Sequence, residues 1–152
     1  MIMTTPLYAT PDREDNCLSC HTSGTITLTS PNSTALQVKA SSNFLVYVSA
    51  EGGSSDLTLK WPSTLNSQFA FVPTTVADNG PNDEDPLANK VTFHTHITAP
   101  ASQGDYNIQV LAADGTLKGG VYGFTVAVEA EPTQGGIGSV LPTAYSFTVG
   151  KA

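Results

Sequence analysis

The segment "KVTFHTHIT", residues 90–98, alternates between two sets of side chains over its whole length. Successive side chains of a strand point to opposite faces. Val91, Phe93, Thr95 and Ile97 therefore share one face, and Thr92, His94, His96 and Thr98 share the other. Strand-like patterning recurs in "TITLT" (25–29), "ALQVKA" (35–40), "NFLVYVSA" (43–50), "DLTLKW" (56–61) and "FAFVP" (69–73). It returns in "DYNIQVLAA" (105–113), "VYGFTVAVEA" (121–130) and "AYSFTV" (144–149). The spacers are rich in Ser, Asn, Gly and Pro, which favour turns. No segment of useful length has helical periodicity. Eight or nine short strands at this spacing predict an all-β antiparallel sandwich. Its expected core is Phe44, Val46, Val48, Leu57, Leu59, Trp61, Ile108, Val110, Phe124 and Val126.

At 152 residues the chain is long enough for one domain with a real core. Charged residues are only 12%, beside 13 Gly and 10 Pro, a balance that suits strands and turns better than helices. Six basic against thirteen acidic residues give a net charge of −7, which argues against nucleic acid and anionic membrane as partners. No apolar run approaches the length of a membrane span. Residues 1–24 are poor core material, with Pro6, Pro11 and the charged run Asp12, Arg13, Glu14 and Asp15. They read as an irregular arm, followed by a sandwich over 25–152 in which 133–143 is a flexible linker before the terminal strand 144–149. "MIMTTPLYAT" lacks a basic n-region and a long apolar stretch, so the numbering is expected to start on a mature or trimmed chain.

The stretch "APASQGDYNIQVLAADG" (99–115) resembles the E–F corner of immunoglobulin-like and fibronectin-like domains. There a Gly-x-Tyr sequence opens strand F and the tyrosine hydroxyl bonds back to the loop; Gly104, Asp105 and Tyr106 match it. The resemblance spans roughly residues 25–130. It implies an immunoglobulin-like sandwich without the inter-sheet disulfide, because both cysteines lie in the arm.

Those cysteines stand in "DNCLSCHTSG" (15–24), where Cys17 and Cys20 are followed at once by His21. Cys-x-x-Cys-His resembles the attachment site of c-type cytochromes. The resemblance implies one haem c per chain, thioethers from Cys17 and Cys20 to its vinyl groups, and His21 as proximal ligand of the iron. Two rival readings use the same residues. A redox dithiol normally sits at a helix start in a βαβ setting, which this chain lacks. A structural zinc site could be built from Cys17, Cys20, His21 and a further histidine, although zinc spacings seldom set the first histidine beside the second cysteine.

Haem iron used for electron transfer commonly takes a second axial ligand, His or Met. His94, His96, Met1 and Met3 are the candidates. The histidines are favoured because they share the outward face of a strand, whereas the methionines lie at a chain end. Either histidine suits, within the chain or across to a neighbouring subunit. The second arrangement resembles, in architecture, extracellular cytochrome filaments whose axial histidines cross subunit boundaries. Arm and tail would supply contacts for such a homo-oligomer or filament, since extended segments add to sheet edges.

The sequence thus leads to an exported monohaem c-type cytochrome, extracellular, on the cell surface or periplasmic. It would exchange electrons with redox partner proteins and perform no catalysis. The alternatives are a cell-surface binding or adhesion module with a structural metal at the motif, and a haem sensor with an open sixth position. Two features stand outside this reading. "DNGPNDEDP" (78–86) carries Asp78, Asp83, Glu84 and Asp85, which read as a solvated acidic loop ahead of a calcium site. Asn32-Ser33-Thr34 is a glycosylation sequon.

Overall fold

Residues 90–98 form a strand whose exposure alternates along its length, with Val91, Phe93, Thr95 and Ile97 buried and His96 and Thr98 exposed. The computed structural model describes residues 20–131. In them the strands are β1 (Gly24–Thr25), β2 (Thr27–Thr29), β3 (Ala35–Lys39), β4 (Asn43–Glu51) and β5 (Thr58–Lys60). β6 (Ala70–Val72), β7 (Thr75–Ala77), β8 (Lys90–Thr98), β9 (Gly104–Ala113) and β10 (Lys118–Glu129) complete the set.

Two sheets face each other. One runs β1-β10-β9-β5-β7, with β3 also paired to β10; the other runs β2-β4-β8-β6. The protein is an all-β sandwich of immunoglobulin-like type. Its pairing is antiparallel except where β1 and β3 run parallel to β10. The predicted corner is present: the Tyr106 hydroxyl donates to the Ser102 carbonyl at 3.0 Å.

Three strand assignments need correction. "TITLT" is not one strand, because the chain passes from the first sheet to the second at buried Ile26, whose amide still bonds the Gly119 carbonyl. This crossing presses on β10 at Gly120, where an added Cβ would collide with the Ile26 carbonyl oxygen. The short strand β7 was not expected. β10 starts at Lys118, three residues before the predicted start. The sandwich also begins at Gly24, one residue inside the span assigned to the arm. The terminal strand predicted at 144–149 and the linker before it lie outside the described residues.

The core holds every apolar residue predicted for it, with Phe44 only partly buried at its margin. Trp61 is its centre, 2% exposed, stacked on Phe71 at 4.7 Å and tilted against Phe124 at 6.2 Å. Its indole N–H donates to the Thr95 hydroxyl at 3.0 Å. That bond explains a polar residue at a fully buried position of β8, since a buried donor without a partner is costly.

Thr95→Val keeps the shape and strands the indole N–H, and should destabilise the fold by about 1–3 kcal/mol in urea denaturation. Thr95→Ser keeps the hydroxyl and should lose only about 1 kcal/mol for the missing methyl. Equal losses from the two variants would show that the hydrogen bond contributes nothing.

Candidate functional site

The described part of the cysteine motif is docked on the sandwich. The His21 ring is 8% exposed, and its Nδ1 lies 3.1 Å from the Lys118 carbonyl oxygen. A carbonyl only accepts, so Nδ1 carries the proton and Nε2 presents its lone pair. This is the usual state of a metal-binding histidine, whose second nitrogen is held by a carbonyl or carboxylate. Neighbouring bonds fasten the same segment: the Ser23 amide donates to the Leu117 carbonyl at 3.0 Å, and its hydroxyl to the Thr116 carbonyl at 2.5 Å. Cys20 is exposed beside the anchored ring. Cys17, Met1 and Met3 lie outside the described residues.

The turn that receives His21 is organised by a buried carboxylate. Asp114 is 0% exposed. It accepts from the amides of Ser54 (2.8 Å), Thr116 (3.0 Å) and Lys118 (2.9 Å), and from the Thr116 hydroxyl (2.9 Å). Burial by itself raises the pKa of this carboxyl. The hydrogen bonds from Lys118, Ser54 and Thr116 together outweigh that and hold it below the ordinary carboxylate value. The Lys118 ammonium reaches across to the Gly52 carbonyl (3.2 Å) and the Ser54 hydroxyl (2.6 Å). One residue thus links the loop after β4, the buried carboxylate and the His21 ring.

The two other histidines occupy the outward face of the second sheet, as the alternation requires. His94 lies opposite Tyr47, and His96 lies between Leu45 of β4 and Val72 of β6. The two imidazoles stand edge to face with centroids 5.6 Å apart, and the Tyr47 ring lies at 5.6 Å from His94. Glu84 makes a short contact to His94 Nδ1. The Glu84 amide in turn donates to the Thr92 carbonyl at 2.7 Å, so the acidic loop is clipped to β8. Exposed Tyr47 and Val72 make this face apolar around the imidazoles.

His94 and His96 are therefore brought together, and His21 is set apart from them. His21 is tied to β10 of the first sheet, whereas the pair points away from the sandwich on the second. The two sites therefore belong to different sheets. Among the described residues no group of three or more His, Cys, Asp and Glu is arranged to hold a metal ion. In the acidic loop Asp83 accepts from the amides of Asn79, Asp85 and Thr92, Asp85 from Leu87, and Asp78 from Asn89, while Asp85 also pairs with Lys90 at 3.5 Å and Asp78 Oδ1 is buried without a hydrogen-bond partner. Asn32 uses its side-chain oxygen on the Tyr47 amide at 2.8 Å, capping the open edge of β4.

Sequence reasoning missed Asp114 and the Lys118 carbonyl, and read Glu84 only as part of a solvated acidic loop. The first had a local signal, because "ADGT" (113–116) is an Asx-type turn sequence. The carbonyl had none, and the pairing of Glu84 with His94 spans ten residues of chain.

No family model and no curated protein sequence matches this chain. Among solved structures it is similar to the BIgI domain of beta protein from S. agalactiae, described bound to CEACAM1. That match has 14% identity and a TM-score of 0.47, covering 70% of this chain and 98% of the other. WR4, an MSP family member of C. elegans, gives 15% identity and a TM-score of 0.43, covering 71% and 99%. A non-cellulosomal cohesin from the archaeon Archaeoglobus fulgidus gives 13% and 0.35, covering 70% and 92%. No helix of the described residues is long and apolar enough to cross a membrane.

Asp114→Ala strands several buried donors at once and should cost at least about 1–3 kcal/mol. The carboxyl's folded pKa is depressed, so its contribution is complete above the ordinary carboxylate range and declines as pH falls through the folded value. Denaturation midpoints of the native protein should therefore fall on acidification, and Asp114→Asn should flatten that slope. An unchanged slope in the Asn variant would assign the acid sensitivity to other carboxylates.

Proposed function

We propose that the protein is an exported monohaem c-type cytochrome that carries electrons between redox partner proteins. The observation that supports this most is the state of His21, a buried imidazole beside the second motif cysteine. Its Nδ1 is committed to the Lys118 carbonyl and its Nε2 is left for a metal. Haem c would be held by thioethers to Cys17 and Cys20 and by the His21 imidazole, and would supply one-electron chemistry there.

The chain's own residues have distinct tasks in this reading. Lys118 and Asp114 fix the His21 ring and its tautomer. His94 or His96 would hold the iron from a second copy, because His21 is tied to β10 of one sheet and the pair faces outward from β8 of the other. Tyr47, Leu45 and Val72 offer that neighbour's apolar ring a surface. Exposed apolar area costs about 25 cal/mol per Å², which favours such cover. A closed two-fold dimer or an open head-to-tail filament follows from whether the contact closes. Two axial histidines would give a lower potential than a histidine–methionine pair and leave no open position for a substrate, so the role is transfer and not catalysis.

A second reading rests on the same observation, since Nε2 of His21 and two thiolates also suit zinc. The protein would then be a surface binding module with a structural metal at its arm. Protein made with export and haem-ligation machinery should give a c-type pyridine haemochrome spectrum and keep its haem under denaturing electrophoresis. Extractable haem would remove the cytochrome reading, and stoichiometric zinc would establish the second.

The loaded protein should be low-spin and six-coordinate. Replacing both His94 and His96 by alanine should yield a high-spin form that binds carbon monoxide, and dilution to monomers should do the same to the native chain. A low-spin spectrum that survives the double replacement would place the ligand elsewhere, with Met1 and Met3 next to test.

A further inference from the structure

We infer that His94 and His96 form a chelating site for a divalent transition-metal ion of the copper, nickel and zinc class. The site is complete without Cys17, Cys20 or His21 and stands whether or not the chain carries haem.

Three observations carry it. The first is spacing: residues two apart on a strand share a face, and here the imidazole centroids are 5.6 Å apart. Metal–nitrogen bonds of about 2.0–2.1 Å put each ring centre about 3 Å from the ion, so two rings sharing one ion at a tetrahedral angle stand about 5 Å apart. The observed pair lies within about 1 Å of that separation, a gap that side-chain rotation closes. The second is orientation. The Glu84 carboxylate engages Nδ1 of His94 and so turns Nε2 away from the loop; a carboxylate behind a ligating imidazole fixes its tautomer and raises its basicity. The Tyr47 ring packs beside it and restricts its rotation. The third is field: the loop that supplies Glu84 also carries Asp78 and Asp83, beside Asp85 paired with Lys90 at 3.5 Å, on a chain of net charge −7, which draws cations.

Imidazole ligands select copper, nickel and zinc over magnesium and calcium, and Cu2+ binds most tightly of the divalent series. No third protein ligand is present among the described residues. The remaining coordination positions therefore belong to water or to a group from another molecule. That makes the pair an exchangeable surface site, not a structural one. Where one of the two histidines also serves a neighbour's haem iron, the divalent ion competes with it for the same nitrogen.

The test is titration of the full chain with CuCl2, followed by electron paramagnetic resonance. One Cu2+ per chain should bind with coupling to two imidazole nitrogens. His94→Ala and His96→Ala should each abolish the two-nitrogen signature and weaken binding at least tenfold. Both rings lie on the solvent face, so these variants leave the core intact. Glu84→Gln should keep both nitrogens and weaken binding by about ten- to a hundredfold, the usual loss when a supporting group of this kind is removed. A two-imidazole signal that persists in the double alanine variant, or native binding no tighter than that variant's, would overturn the site. Unchanged affinity in Glu84→Gln would overturn the part assigned to the carboxylate. Absence of haem leaves this experiment intact, so failure of the cytochrome reading and failure of the metal site are read separately.

Discussion

Four hydrogen-bond donors converge on the carboxylate of Asp114, which has no exposure to water. An ionised group in that position is tolerated because it is bonded from several directions, and removing any of the donors exposes the cost of its burial. Its effect reaches beyond the turn. The Lys118 amide is one of the donors, and the Lys118 carbonyl holds the His21 ring. A short segment entering the sandwich from outside is thereby given a fixed imidazole, although the two strands it leads into are only two and three residues long.

In the proposed reading an all-β frame would serve a motif that does not need one. The cysteine motif requires little more than a turn, but an imidazole that ligates a metal must be held in one tautomer and one orientation. Here the backbone supplies that hold through the edge of β10, where β1 pairs with Lys118 and Gly119. The close approach at Gly120, where a larger residue would meet the Ile26 carbonyl, lets the incoming chain lie against β10 before it crosses sheets. Glycine is needed there for contact, not for an unusual backbone angle.

Much of the frame was legible because its signals are local. The parity of β8 follows from alternation, and it placed Phe93 and Thr95 inside and His94 and His96 outside. The Tyr106 corner follows from three adjacent residues. What escaped was non-local or too short to show a period. β7 is three residues long beyond Pro73. The switch between sheets at Ile26 preserves alternation, so nothing in "TITLT" reveals it. An acidic run looks like a solvated face until the fold shows that Asp78, Asp83 and Asp85 bond backbone amides while Glu84 reaches a histidine.

The separation of the two histidine sites has a consequence for any assembly. His21 belongs to a segment that enters at the edge of one sheet. His94 and His96 belong to β8, an interior strand paired with β4 along its whole length. Pairing of that kind gives the outer face little freedom to move, and Glu84 and Tyr47 limit the ring of His94 further. A contact that joined His21 of one copy to the pair of another would close as a two-fold dimer if made reciprocally, and would be heterologous if each copy used a different neighbour for each site.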